Sequence, residues 1–460
     1  MTTGYTSPLL SRHGAVPATG PDEGVAWHYG DPTGEQRALR TGGAVVDQSH
    51  LGVVTVTGPD RLSWLHSITS QDLTDLAPRT STELLVLSPQ GHVEHAASVV
   101  DDGTTTWLVT ERSHAADLAA WLDRMKFMLR VEIADATDEW AALGEPVDAE
   151  GAEDEPVTWR DPWPRVLAGA TRYGPPEDEH PGRERPWRLV LVPRAELADA
   201  VAARADAWCR RVRTMEREAP LGAGGRRRRA TEVDHWSIPH ETDWLRTAVH
   251  LHKGCYRGQE TIARVHNLGR PPRRVVMLHL DGSGHLLPAP GAEVTLDGRA
   301  VGAVTSVARH HELGPIALAV LKRSAPVDAE LLVDCDGGAI SAAQEVVVPG
   351  EGVSVDRPAA RGALRGRPRR PSGLARPRRA RGHAARRGRT HEHAVTSGPA
   401  RGQSPGAVDV ARGAWRRLLL RARVRQGASR VRVALWPILQ AAAAPGRAGG
   451  FARAGRGLGE

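Results

Sequence analysis

Lys253-Gly254-Cys255-Tyr256-Arg257-Gly258-Gln259-Glu260 is the stretch on which the reading of this chain turns. One cysteine stands between two glycines with a cation on either side, and an amide, a carboxylate and the further cation Arg264 follow. Glycine permits backbone angles with φ > 0 and close approach of a ligand to the chain. Positive charge from Lys253 and Arg257 favours the thiolate of Cys255, the form that attacks electrophiles or ligates a metal. Gln259 both donates and accepts, and the Glu260 carboxylate can accept from an N–H-rich ring. A competing reading makes Cys255 a small buried hydrophobe and the two glycines simple turn residues. Spacing alone leaves both open.

Working outward, the cysteines limit the chemistry. There are three, Cys209, Cys255 and Cys335, with no C-x-x-C. An iron–sulfur cluster takes roughly four protein ligands, mostly thiolates, so the count argues against a resident cluster. Cys335, in Val-Asp-Cys-Asp-Gly-Gly, reads as a strand end near a turn. Few cysteines fit a reducing cytoplasm. The start, Met-Thr-Thr-Gly-Tyr-Thr-Ser-Pro, lacks the basic and apolar regions of a signal peptide. No apolar run approaches the ~20 residues that span a bilayer. A cytoplasmic protein without a membrane partner is expected.

The net charge of +7 averages two opposite parts. Residues 354–460 hold 25 arginines, no lysine and 4 acids, a balance of +21, which leaves −14 on the first 353 residues. The basic character therefore belongs to the tail, and whole-chain charge is no argument for nucleic-acid binding by the body.

Met1 to Pro21, rich in Gly, Pro, Ser and Thr, reads as a mobile leader. From Ala26 to Leu143 the texture is αβ. Gly52 to Thr57 is a β-branched strand, stopped by Gly58-Pro59-Asp60, after which a helix runs through Leu62, Leu65 and Ile68. Leu84 to Leu87 and Val93 to Val100 form a hairpin about Ser88-Pro89-Gln90-Gly91. Trp107 to Thr110 is a strand, His114 to Leu129 a helix with Leu118, Trp121, Leu122 and Met125 on one face, and Val131 to Ala134 a closing strand. Gly144 to Pro186 is Pro-rich and acidic, a connector with one short strand near Val166 to Ala168. Arg188 to Pro193 is a strand and Glu196 to Trp208 a helix. From Arg273 to Val348 six short strands, with a hairpin turn at Asp297-Gly298, predict a small barrel.

The octad resembles the signature of the YgfZ family, folate-binding relatives of the glycine-cleavage T protein (aminomethyltransferase) linked to assembly or repair of iron–sulfur clusters. Asp47-Gln48-Ser49-His50-Leu51-Gly52 is similar to the D-x-S-H-[ML]-G of these proteins, and Thr231 to Glu241 is similar to the YgfZ pattern ahead of the cysteine. The resemblance implies an α+β, T-protein-like multi-domain fold: amino-terminal αβ units around a central folate cavity, then a small carboxy-terminal β-barrel and a disordered Arg-rich tail. It divides the chain into a leader (1–24), an αβ folate-binding domain (25–143), a connector (144–186), a second αβ unit with the octad (187–270), the barrel (271–350) and the basic tail (351–460). It implies tetrahydrofolate as cofactor and iron–sulfur enzymes or cluster-assembly proteins as partners. Cys255 becomes the reactive thiol, assisted by Lys253 and Arg257. Gly254, Tyr256, Gly258, Gln259, Glu260, Asp47 and His50 become folate contacts. For Asp47, Ser49 and His50 a capped turn that orders the strand is the alternative.

The chain departs from the pattern in three places. Cys209 to Ala230 carries glycines and four consecutive arginines where relatives have a folate-facing helix, either from two compensating frame shifts or as a real basic loop; folate contacts there do not carry over, nor does a role for Cys209. The tail is either an out-of-frame extension or an arginine-rich segment that binds RNA or DNA electrostatically. The T protein relies on an acid in a G-G-x-x-D-D segment, and the matching Gly91-His92-Val93-Glu94-His95-Ala96 has His95 and Ala96 instead. Glu94, one step off, points to the opposite face of a strand, and His95 would be a base near neutral pH. These departures argue against glycine-cleavage activity. Three readings stand: a folate-binding accessory protein of iron–sulfur assembly, a folate-dependent one-carbon transferase, and a nucleic-acid binder acting through the tail.

Overall fold

The computed structural model describes residues 4–147, 157–207, 212–213 and 228–357. Cys209, most of the segment around it, and the tail with its expected disorder lie outside the described residues.

Runs of aliphatic and β-branched residues, buried on both faces, set the first sheet. Its five strands run in the order Ser81–Leu87, Val93–Asp101, Thr105–Glu111, Leu51–Thr57, Glu132–Asp135. One face carries the helices Arg61–Ile68 and Arg112–Met125, which bury Trp64, Leu65, Leu118 and Trp121 against Leu84, Val86, Val99 and Leu108. The second helix stops at Met125 rather than Leu129, leaving Phe127 and Met128 exposed.

The other face is shared. Val53, Val100, Trp107 and Val109 pack on a second sheet, while Leu85, Leu87, Val93 and Ala96 pack on Trp244, Tyr256, Ile262 and the barrel residues Met277 and Leu318. That second sheet has the order Thr158–Arg160, Arg188–Pro193, Trp140–Glu145, Val45–Asp47, Val212–Arg213. It therefore cuts across the boundary expected at residue 143. Asp47 pairs with Leu143 and Arg188 with Glu145, so the first domain, the connector and the second unit contribute to one sheet. The connector strand lies at Thr158–Arg160, not at 166–168.

The segment read as a mobile leader is packed. Leu9 is in the core, and the Tyr5 hydroxyl donates to Ser49 Oγ at 2.8 Å. Hydrogen bonding overrides composition here, because Ser7 Oγ donates to the buried Asp47 carboxylate.

All six expected barrel strands form and close in the order Arg273–Leu280, Gly314–Lys322, Arg299–His310, Glu293–Leu296, Leu331–Cys335, Gly338–Val346. Val276, Leu278, Val294, Ala319 and Leu321 fill the interior. Closure leaves no free edge.

Candidate functional site

Between the two sheets lies a central cavity. Glu83, Ala96, Ser98 and Thr110 face it from the first sheet, Trp159 and Leu189 from the second, and Trp244, Arg228 and Arg229 complete it. Glu83 is buried in the strand Ser81–Leu87 and accepts a hydrogen bond from the Thr247 hydroxyl. The Trp159 indole donates to the Thr82 carbonyl at 2.7 Å, which fixes its ring against the cavity. Room inside is about 80 Å³, well below the roughly 300–1,000 Å³ of small-molecule sites.

The arginine wall makes it narrow. Arg228 reaches Asp22 and Glu111, both at 2.9 Å. Burial alone would raise the Asp22 carboxyl, but the Arg228 guanidinium and His50 hold it well below the usual carboxylate range. Arg229 Nε donates to the Glu94 carbonyl at 2.9 Å, and its Nη1 lies 2.9 Å from His114 Nε2. The departing basic segment thus ends in two arginines docked on the αβ core.

Asp47 and His50 stand behind the cavity wall, not on it. Asp47 accepts from Ser7 Oγ and from Ser49 N at 3.0 Å, a capped turn that ties the amino-terminal segment to the strand. His50 Nε2 lies 3.0 Å from Asp22 Oδ1 and so reaches the cavity only through Arg228.

The octad is more than a loop. Its last two residues open the helix Gln259–Asn267, with Gly258 at the N-cap. Gly258 has φ 85°, and a Cβ there would sit 2.6 Å from the Ser88 carbonyl oxygen. Gly91 is its counterpart: φ 82°, with a Cβ at 2.8 Å from Thr261 Cβ. The hairpin turn 88–91 and the octad helix therefore touch backbone to backbone.

Two octad residues are buried anchors. Lys253 Nζ donates to the carbonyls of Thr69 and Gln71 at 2.7 Å and to that of His66. The His66 and Thr69 carbonyls lie at the C-terminal end of the helix Arg61–Ile68, where a cation is favourable. Burial lowers the Lys253 ammonium to about 8, so it remains charged at neutral pH. Tyr256 is buried beside Leu85, Val93 and Ile262, with the Lys253 ammonium 5.3 Å from its ring centre. Between these anchors Cys255 is exposed, as is Gly254, which has open space around it. Arg257 pairs bidentately with Glu94 at 2.9 and 3.1 Å. Both flanking cations thus have partners other than the thiol. Gln259 is half-buried and Glu260 exposed, and no octad residue lines the central cavity.

On the strand Val93–Asp101, Ala96 faces the cavity and His95 faces the helices, its ring 6.4 Å from Trp121. Burial, reinforced by Arg229 and His114, lowers His95 to about 4; it is neutral at pH 7 and turned away from any ligand in the cavity. The cavity residues Glu83, Trp159 and Trp244 were not picked out by motif. A carboxylate directly ahead of the apolar run Leu84–Leu87 is the available signal. Among the described residues no cluster of His, Cys, Asp and Glu is placed to hold a metal, and no helix is long and apolar enough to cross a membrane.

Residues 15–144 match the GCVT N-terminal domain family, and residues 273–349 match the glycine cleavage T-protein C-terminal barrel domain. A putative chloroplastic transferase of Arabidopsis thaliana is 23% identical over 310 residues, 62% of this chain and 66% of that protein, so just under two thirds of its length is spanned. An aminomethyltransferase of Rubrobacter xylanophilus is 27% identical over 332 residues, 67% of this chain and 84% of the relative. The crystal structure of the glycine cleavage system aminomethyltransferase T from Bartonella henselae superimposes with a TM-score of 0.58 at 16% identity, over 74% of this chain and 95% of that one. That likeness is one of fold.

Proposed function

From a chain that is T-protein-like in both its amino-terminal domain and its six-stranded barrel, we propose a tetrahydrofolate-binding accessory protein of the YgfZ type that supports iron–sulfur cluster assembly or repair through Cys255. The observation that carries it is the exposed thiol held between two buried anchors, Lys253 and Tyr256. Such a thiol is presented to another protein or to a cluster under transfer, not to the interior cavity.

The donor set of the cavity fits a folate. The Glu83 carboxylate would accept from the N–H edge of the pterin, and Trp159 and Trp244 would stack on its rings. The room does not suffice until the Arg228–Arg229 wall moves aside. When bound, tetrahydrofolate supplies nitrogens that carry a one-carbon unit. With Ala96 facing the cavity, no carboxylate from that turn assists such a transfer, which favours an accessory role. Two measurements test the reading. Calorimetry should detect tetrahydrofolate binding to the full chain that Cys255→Ala leaves intact. In a deletion strain, Cys255→Ala should fail to restore iron–sulfur enzyme activity; full restoration would rule out the thiol's role.

The alternative, a folate-dependent aminomethyltransferase, is favoured by the name of the Rubrobacter relative and its 84% coverage. Formation of methylene-tetrahydrofolate from an aminomethyl donor would establish it.

A further inference from the structure

A second cavity, of about 470 Å³, opens where the helix Pro32–Arg40 meets the outer end of the barrel strand Arg299–His310. Its size falls in the range of small-molecule sites, and it shares no lining residue with the central cavity. Leu39, Pro186 and Trp187 give it an apolar wall, and His310 and His311 a polar one.

The hydrogen-bond network fixes which nitrogen of each histidine carries the proton. Gln36 Nε2 donates to the Arg309 carbonyl at 2.7 Å, so its Oε1 is the atom turned to His311, whose backbone N–H it accepts at 2.8 Å. An amide oxygen only accepts. His311 Nδ1, 3.2 Å away, is therefore the protonated nitrogen, and His311 Nε2 is a bare lone pair. That Nε2 lies 3.7 Å from Glu312 Oε1, beyond hydrogen-bond reach, and has no hydrogen-bond partner among the described residues, although the side chain is only 3% exposed. His310 is the reverse case. Its Nδ1 accepts the N–H groups of Glu312 and Leu313, both at 3.1 Å, which leaves its proton on Nε2. The rings lie 4.6 Å apart with 34° between their planes. Side by side, they present one N–H donor and one acceptor.

Burial, aided by nearby guanidinium groups, lowers both imidazoles, His310 to about 4, so both are neutral at pH 7. The charged lining is balanced: Arg40 and Arg185 stand against Glu184 and Glu312, with Arg40 and Glu312 paired at 2.6 Å. Nothing in this field selects an ion.

We propose that this cavity binds a neutral planar lactam, a ring with C=O beside N–H as in uracil, hypoxanthine or guanine. The carbonyl accepts from His310 Nε2–H, the ring N–H donates to His311 Nε2, and the ring face lies on Trp187. Leaving such a buried nitrogen unpaired is costly, and a lactam satisfies it without bringing charge into the site. The site stands independently of the folate reading.

Calorimetry on the full chain tests it with inosine, 1-methylinosine and adenosine. Nucleosides avoid the phosphate binding that the arginine-rich tail would give. Inosine should bind saturably. Methylation of its N1, or exchange of the lactam for the adenine edge, should weaken binding about tenfold, the ratio of one well-made hydrogen bond. His310→Phe should lower inosine affinity by a similar factor while leaving tetrahydrofolate binding unchanged. Absence of saturable inosine binding, or equal affinity for the three nucleosides, overturns the proposal on the unaltered protein. Inosine affinity unchanged in both His310→Phe and His311→Phe overturns it as well.

Discussion

Within the octad, Gly254 and Gly258 look alike in sequence and differ entirely in constraint. Gly258→Ala places a Cβ against the Ser88 carbonyl at φ 85° and should cost roughly 1–3 kcal/mol, read as a lowered urea midpoint. Gly254→Ala, in open space without a positive φ, should stay within about 0.5 kcal/mol. The thiols differ too. Cys335 is half-buried, and burial together with Asp334 and Asp336 raises its pKa, which keeps it protonated. In a thiol titration of the native protein, Cys255→Ser should remove a fast-reacting group that Cys335→Ser leaves in place. The sequence made Cys255 and Gly258 conspicuous. It hid the work of Lys253, whose four-carbon stem places its ammonium on a helix end 187 residues earlier in the chain. Proximity in sequence suggested a partner for the thiol; proximity in space supplied carbonyls instead.

At the scale of elements, the barrel was legible because short β-rich runs are separated by turn residues such as Asp297-Gly298. The stretch after Thr158 was not, since its order comes from distant residues, an arginine among them. Arg246, fully buried, pairs with Asp243 at 2.7 Å and donates to the carbonyls of Pro164 and Pro175. Arg246→Ala leaves the Asp243 carboxylate buried without a counter-charge, held among the described residues only by the Tyr173 N–H, and should cost about 3–5 kcal/mol, measured by denaturant unfolding. No local pattern announces such a clamp. The same holds for the short helix Arg229–Glu232, whose first residue narrows the central cavity. Arg229→Ala should tighten tetrahydrofolate binding by opening that wall. Affinity at or below that of the unaltered protein would show that the wall is no barrier.

For the molecule as a whole, buried imidazoles set the acid limit of stability. Burial lowers His95 and His310 to about 4 and His240 to about 3, from an ordinary value near 6.5. Above pH 6.5 these groups are neutral in both states. Between pH 6.5 and 4 the unfolded chain takes up protons that the folded one refuses, so stability falls as pH falls. Glu241, raised by burial, and His279, raised by Glu345, act in the opposite sense but are fewer. The urea midpoint should therefore drop steadily from pH 6.5 to 4, and a flat profile would contradict these burials. The domain order read from sequence missed that the second sheet pairs Asp47 with Leu143 across the whole first sheet, because pairing partners leave no mark on either strand. That nesting has a consequence in time. As the chain leaves the ribosome, Val45–Asp47 waits for Trp140–Glu145, and at about 5–20 residues per second the roughly 90 residues between them take on the order of 5–20 seconds. The first sheet, complete only at Asp135, then keeps one apolar face uncovered until Trp140–Glu145 and Arg188–Pro193 emerge, which makes the nascent chain, more than the finished protein, the form most in need of a chaperone.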